Sequence, residues 1–156
     1  MKSGVLLTFI LVLLARPCKA ETTQGAMSIG LGYLTTFADA NAIVQLSGGV
    51  DVPVSKSLNF WGDGAWDTNG EGVASQLTLG ASHRFSPTNK GAFPFVVGGL
   101  DFSSLPKGWI WGAHVGAGAT FWTSHHRGLR MEIHNVIWGG AFSFDEIVGR
   151  IGLTFR

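Results

Sequence analysis

The sequence predicts an all-β protein, an eight-stranded antiparallel up-and-down β-barrel that crosses a membrane. Three observations lead to this fold class. One segment alternates between an apolar face and a polar face and has aromatic residues at both ends. Similar segments of about ten residues recur along the chain between turns, as in transmembrane barrels. The N-terminus resembles an export sequence.

The segment with the clearest alternation runs from Gly108 to Thr123. A repeat of two residues indicates a β-strand. Aromatic rings at both ends of an apolar face are typical of a strand that crosses a bilayer. A strand of a soluble β-sandwich is the alternative, because its core face also alternates. The apolar set is aromatic at its ends and small in its middle: Trp109, Trp111, Ala113, Val115, Ala117, Ala119 and Phe121.

The N-terminal segment has the pattern of a cleavable secretory signal. A short basic start precedes an apolar run at positions 4–15, and small residues lead to a cut after Ala20. We therefore expect residues 1–20 to be a signal peptide and residues 21–156 to be one barrel domain. Lipidation of Cys18 is disfavoured, because the residues before it are bulky or rigid. Without Cys18 the mature chain has no cysteine, which excludes disulfides and thiol catalysis.

The composition also favours a barrel over a soluble globule. The chain has 23 glycines, 6 tryptophans and 11 phenylalanines, and only 13% of its residues are charged. Its apolar residues are dispersed rather than collected in a second long run, as alternating strands would disperse them. The net charge of +1 and the lack of an extended basic cluster exclude a nucleic-acid partner.

Eight strands can be placed between segments rich in turn-forming residues. An even number lets the first and last strands pair antiparallel, so that no unsatisfied edge faces lipid. We predict strands near Met27–Leu34, Ile43–Val52, Leu58–Asp67, Val73–Phe85, Ala92–Phe102, Trp109–Trp122, Leu129–Trp138 and Ile147–Phe155. With the N-terminus in the periplasm, the external connections would be the short segments Thr35–Ala42, Thr68–Gly72, Ser103–Gly108 and Gly139–Glu146.

The alternation assigns a face to most strand residues. The lipid-facing set would be Ile29, Leu31, Tyr33, Val44, Leu46, Val50, Val52, Leu58, Phe60, Trp66, Leu77, Leu79, Ala81, Phe85, Leu129, Met131, Ile133, Ile147, Ile151, Leu153 and Phe155. The inward set would be Gln45, Ser47, Asp51, Asn59, Asp63, Asp67, Gln76, Thr78, Ser82, Arg84, Arg130, Glu132, His134, Arg150 and Thr154. Asn135 falls on the outside, so we expect a bulge or a strand end there. The fifth strand does not reveal its faces.

Two groups of residues are candidates for specific roles. Aromatic residues near strand ends would form girdles at the lipid–water interfaces: Trp66, Trp109, Trp111, Phe121 and Phe155. Glu132 and Arg150 are about equally far from the last hairpin apex, so we expect them to pair in the lumen, with Arg130 and Asp63 in the same charge network. Eight strands enclose just enough room for side chains. The alternative role for these charges is a polar path for small ions.

Four segments resemble the bacterial outer-membrane β-barrel domain family of OmpA type. Members show a proline–aromatic start before a glycine pair, a glycine-rich strand, a GLRxE strand and a final strand that ends in aromatic residues; Phe155 is penultimate here. The segments are Phe93–Leu100, Gly112–Gly118, Gly128–Glu132 and Arg150–Arg156. The resemblance implies an outer-membrane location, with membrane lipid, lipopolysaccharide and the barrel-insertion machinery as partners. We expect a monomer.

The sequence favours a non-enzymatic outer-membrane protein with a structural or surface-interaction role. We assign no catalytic residue, no metal site and no cofactor, because no set of converging zinc ligands is visible. A lipid A-modifying hydrolase is one alternative, although Val136 stands where a lipid A deacylase has its serine after His134. A narrow channel for small solutes is the other.

Overall fold

A computed structural model describes residues 22–35, 40–68, 72–86, 88, 91–105, 108–139 and 144–156. The predicted signal peptide, residues 1–20, lies outside the described residues. Among the residues that are described, no helix is long and apolar enough to cross a membrane. The strands are β1 (Gln24–Thr35), β2 (Ala40–Pro53), β3 (Leu58–Thr68), β4 (Val73–Arg84), β5 (Ala92–Leu105), β6 (Gly108–Trp122), β7 (Arg127–Trp138) and β8 (Phe144–Phe155).

The eight strands close into one barrel. Each strand pairs antiparallel with the next, and β1 pairs with β8 from Gly25↔Phe155 to Thr35↔Asp145. Closure gives every strand a neighbour on both sides, which satisfies the backbone groups that lipid could not. The predicted fold class is confirmed, and each predicted strand is present with its ends extended or shifted by a few residues.

The two ends of the barrel differ in what they carry. We call the end with Gln24, Phe155 and the connections 54–57, 85–91 and 123–126 the terminal end. The opposite end, here called the distal end, carries the connections 36–39, 69–72, 106–107 and 139–143. The distal connections are two to five residues long.

Residues inside and outside the barrel alternate as predicted. Every residue of the predicted inward set is buried or half-buried, and the predicted outward residues are mostly exposed. In β6, for example, Val115 is 62% exposed, whereas its neighbour His114 is 6% exposed. The apolar exterior and polar interior invert the pattern of a soluble globule. They match a barrel that is surrounded by lipid.

The faces of β5 become clear only in the structure. Phe95 and Val97 are each 3% exposed and point into the lumen together with Asp101, while Val96 and Leu100 lie outside. Apolar residues therefore occupy both faces of this strand. Its periodicity is hidden because a packed lumen also accepts phenylalanine and valine.

The predicted irregularity at Asn135 is wrong. Pairing between β7 and β8 is continuous from Arg127 to Trp138, and Asn135 lies half-buried on the outer face, next to Val115 and Ile147. A bulge would reverse the faces beyond it. The regular pleat keeps the inward residues on both sides of Asn135, including His134 and Val136, inside the barrel.

Glycines on the inner face make room for the larger side chains. A Cβ atom on Gly118 would lie 2.5 Å from Phe95 Cζ and 2.8 Å from Glu132 Cβ, and it would also touch the carbonyl oxygen of Met131. A Cβ on Gly64, by contrast, would meet nothing within 4 Å. Gly118 is therefore a requirement of packing rather than of backbone conformation.

We expect Gly118→Ala to lower the free energy of unfolding by about 1–3 kcal/mol, because overpacking moves neighbours that cannot shift freely. Gly64→Ala is the matched control and should have little effect. Urea unfolding of the barrel in lipid vesicles measures both. Equal stability of the two variants would show that the neighbours of Gly118 adapt.

Candidate functional site

A layer of charged side chains crosses the lumen, and we call this layer the waist. Its centre is Arg150 on β8, which lies directly opposite Glu132 on β7. Arg150 Nη1 is 3.3 Å from Glu132 Oε1 and 2.8 Å from Asp63 Oδ2, and Arg150 Nε donates to Gln45 Oε1. One guanidinium thus contacts acceptors from three other strands.

Arg130 is the second cation of the waist. Its Nε donates to Glu132 Oε2 at 2.7 Å, and its Nη1 donates to Asp51 Oδ2 at the same distance. The guanidinium also lies over the ring of Phe95, 4.1 Å from the ring centroid. The structure therefore places Glu132, Arg150, Arg130 and Asp63 in one connected group.

The sequence reading did not include Asp51, Gln45 or Phe95 in this group. Asp51 and Gln45 were already on the predicted inner face, and this was the available signal for their participation. Which of the inward residues meet depends on the barrel's cross-section. Phe95 gave no such signal, because the faces of its strand could not be assigned.

The hydrogen bonds of the waist continue towards both ends. Towards the terminal end, Asp51 accepts a hydrogen bond from Ser82, which accepts one from Asn59. Towards the distal end, Gln45 donates to Asp67 and to Gln76. Gln76 in turn donates to Asp101, the partner of Thr78 and His114. Together with the contacts of Arg130 and Arg150, these hydrogen bonds join side chains from β2 to β8, so they hold the inner wall in one arrangement.

Three rings pack beside the charges. Trp61 lies 5.2 Å from His114 and 5.3 Å from His134 between ring centroids, and the two imidazoles stack at 5.7 Å. Each imidazole has a carboxylate neighbour, with His114 Nδ1 2.6 Å from Asp101 Oδ2 and His134 Nε2 3.0 Å from Glu132 Oε1. Within the described ranges, no group of three or more His, Cys, Asp or Glu side chains is arranged to hold a metal ion.

Very little space remains at the waist. The void among Trp61, Asp63, Arg130, Glu132 and Arg150 has a volume of about 10 Å³. This is close to the minimum that holds a single water molecule. Larger voids lie on the two sides of the waist, and we call them the terminal chamber and the distal chamber.

The two chambers differ in chemistry. The terminal chamber has a volume of about 490 Å³, and its wall includes the basic residues Lys56, Arg84 and Arg156. The distal chamber has a volume of about 300 Å³ and a mainly apolar wall that includes two acidic residues, Asp67 and Glu146.

The proposed girdle residues lie on the outer surface at two levels. Trp66, Trp109 and Trp111 are exposed and are close to the distal ends of their strands. Phe121 and Phe155 are exposed and are close to the terminal ends of their strands. Their contact with lipid–water interfaces stays a proposal.

Comparison with solved structures finds small outer-membrane barrels. The alignment with Neisserial surface protein A has a TM-score of 0.75 at 11% sequence identity, and it covers 86% of this chain and 96% of that protein's chain. Ail of Yersinia pestis, the attachment invasion locus protein, has a TM-score of 0.64 at 9% identity, with 85% and 96% covered. The N-terminal barrel of Pseudomonas aeruginosa OprF has a TM-score of 0.58 at 14% identity, with 86% and 100% covered.

At these identities the likeness concerns the fold. Neither a protein-family model nor a curated protein sequence matches the chain. The closed barrel, its apolar exterior and its structural neighbours agree with the location in the outer membrane that the sequence predicted. The chain therefore has the fold of the small eight-stranded bacterial outer-membrane β-barrels, as its sequence resemblance implied.

Proposed function

We propose that this protein is a non-enzymatic outer-membrane barrel with a closed lumen, and that its role is structural or lies in surface interaction. The observation that carries this proposal is the waist. Charged side chains from several strands meet there and pair with one another, and the void among them is about 10 Å³. An interior of this kind supports the barrel and leaves little space for solute flow.

The narrow channel is the weaker alternative. A conducting lumen needs a continuous polar path, and the charges that would line it are held by direct contacts such as Arg150–Asp63 at 2.8 Å. An ion would have to separate these buried pairs, which is costly. The same pairs therefore favour a structural role.

The lipid A hydrolase is also disfavoured by geometry. Such an enzyme needs its imidazole on the lipid-facing surface, next to a nucleophile. His134 is 2% exposed and points into the lumen, where it contacts Glu132. The outward neighbour of His134 is Asn135, which supplies no hydroxyl.

A surface role would use the distal end, provided that the terminal end faces the periplasm. Ail has been solved in complex with the heparin analogue sucrose octasulfate. At the distal end of this chain, Asp145 is exposed and carries a negative charge, and Asp67 and Glu146 line the chamber below it. These described residues would repel a polysulfated partner. An uncharged or cationic partner fits this end better.

Conductance in planar lipid bilayers tests the proposal. We expect the folded protein to give no stable current steps. The double variant Glu132→Ser with Arg150→Ser, which removes charge and volume from the waist, should give small steps. Current steps from the unmodified protein would establish a channel. A change in lipid A mass after incubation with the protein would establish an enzyme.

A further inference from the structure

The distal chamber has the size and lining of a small-molecule site. Its volume of about 300 Å³ is at the lower end of the usual range for ligand pockets. Apolar side chains from six strands form most of its wall: Leu34, Ile43, Leu105, Ile110, Trp138 and Phe144. Because the waist closes the lumen, a ligand would enter this chamber from the distal end.

One acidic group in the wall is incompletely satisfied. Glu146 is 4% exposed, and its Oε2 accepts a hydrogen bond from Trp138 Nε1 at 3.0 Å. Its other oxygen, Oε1, is buried and has no hydrogen-bond partner among the described residues. A buried carboxylate oxygen without a donor is costly, so a missing donor would stabilise this group.

The charges around the chamber indicate what that donor would be. Asp67 is the second carboxylate in the wall, and its contact is the neutral amide of Gln45 at 2.6 Å. The described residues that line the chamber include no lysine or arginine. At the waist, by contrast, Asp51, Asp63 and Glu132 each contact a guanidinium. Among the described residues of its wall, the distal chamber thus has two carboxylates and no cationic side chain.

We propose that the distal chamber binds a small organic cation, namely an ammonium group on an apolar or aromatic body. The ammonium would be held by Glu146 with help from Asp67, and the body would pack on Ile43, Leu105 and Phe144. An anion would be repelled by the two carboxylates. A neutral apolar molecule would leave Glu146 Oε1 without a charged donor. This site is separate from the closed waist on which the proposed function rests.

The indole N–H of Trp138 gives a direct readout, because it donates to the proposed carboxylate. We would record ¹H–¹⁵N spectra of the folded barrel in lipid nanodiscs and identify this signal with Trp138→Phe. Titration with 2-phenylethylammonium chloride should shift the signal and reach saturation. The neutral probe 2-phenylethanol is similar in size. It should bind at least about tenfold more weakly, as expected for loss of a hydrogen bond between charged groups.

Two charge-matched variants separate the site from general electrostatics. Glu146→Gln keeps the size of the side chain and should weaken binding of 2-phenylethylammonium about tenfold. Asp145→Asn removes the same charge from the neighbouring exposed residue and should leave the affinity unchanged. If Glu146→Gln does not fold, as judged by its mobility with and without boiling, Asp67→Asn replaces it and should also weaken binding.

Three results would overturn the proposal: no saturable shift in a folded barrel, equal affinity for the charged and neutral probes, or equal affinity in the Glu146→Gln and Asp145→Asn variants. Conductance does not enter this test. Failure of the ligand site is therefore distinguishable from failure of the closed-lumen function.

Discussion

Replacing Arg150 with methionine should lower the free energy of unfolding by about 3–5 kcal/mol, the cost of breaking a buried ion pair by removing one partner. Methionine fills similar volume, so the loss would come from charge rather than from a cavity. Asp63 and Glu132 would each lose a contact with the same guanidinium. Arg127→Met is the control, because Arg127 is exposed at the start of β7.

A double-mutant cycle shows where that free energy resides. Arg150 Nη1 is 2.8 Å from Asp63 but 3.3 Å from Glu132, and Glu132 also contacts Arg130 at 2.7 Å. The coupling of Arg150 should therefore be larger with Asp63→Asn than with Glu132→Gln. Urea-dependent unfolding in vesicles provides the values. Purely additive losses in both cycles would mean that the side chains do not meet, and the alignment of β7 with β8 would be incorrect.

Introducing arginine at Val115 should lower stability by about 2–4 kcal/mol, the range for a charged residue that faces lipid near the bilayer midplane. Val115 is the central residue of β6 and is 62% exposed on the outer surface. Val73 provides a matched control, because it is 70% exposed but begins β4 at the distal end. Val73→Arg should cost only about 0–1 kcal/mol near the interface.

The same unfolding assay compares these two variants. Equal small losses would mean that water rather than lipid surrounds Val115. Equal large losses would mean that the bilayer extends over the distal end as well.

The alternation of side chains was sufficient to predict the barrel and most of its faces. A strand in lipid must keep its apolar residues on one side, and β2, with Val44 and Leu46 outside and Gln45 and Ser47 inside, shows this rule directly. The rule fails in β5, because Phe95 and Val97 fill the lumen. It also misled at Asn135, because one polar residue on the outer face can cost less than a bulge that would turn His134 or Val136 outward.

The candidate site was only partly predictable. The sequence could place Glu132 and Arg150 opposite each other, because one hairpin joins their strands and fixes the register. Contacts across the barrel, such as Arg150 with Gln45, depend on closure and on the length of each side chain. The distal chamber was not predicted, because Trp138 and Glu146 acquire a shared role only when β7 and β8 pair and the other strands complete the wall.

Water and lipid accessibility along β6 tests most directly whether this barrel lies in a membrane. Spin labels at Ala113, Val115 and Ala117 can be introduced one at a time as cysteines in a Cys18→Ser background, with Thr123 in the turn as the water-exposed reference. In lipid bilayers, we predict high accessibility to oxygen and low accessibility to a water-soluble nickel complex at 113, 115 and 117, with the reverse at 123. Nickel accessibility at 115 equal to that at 123 would contradict a membrane-spanning barrel.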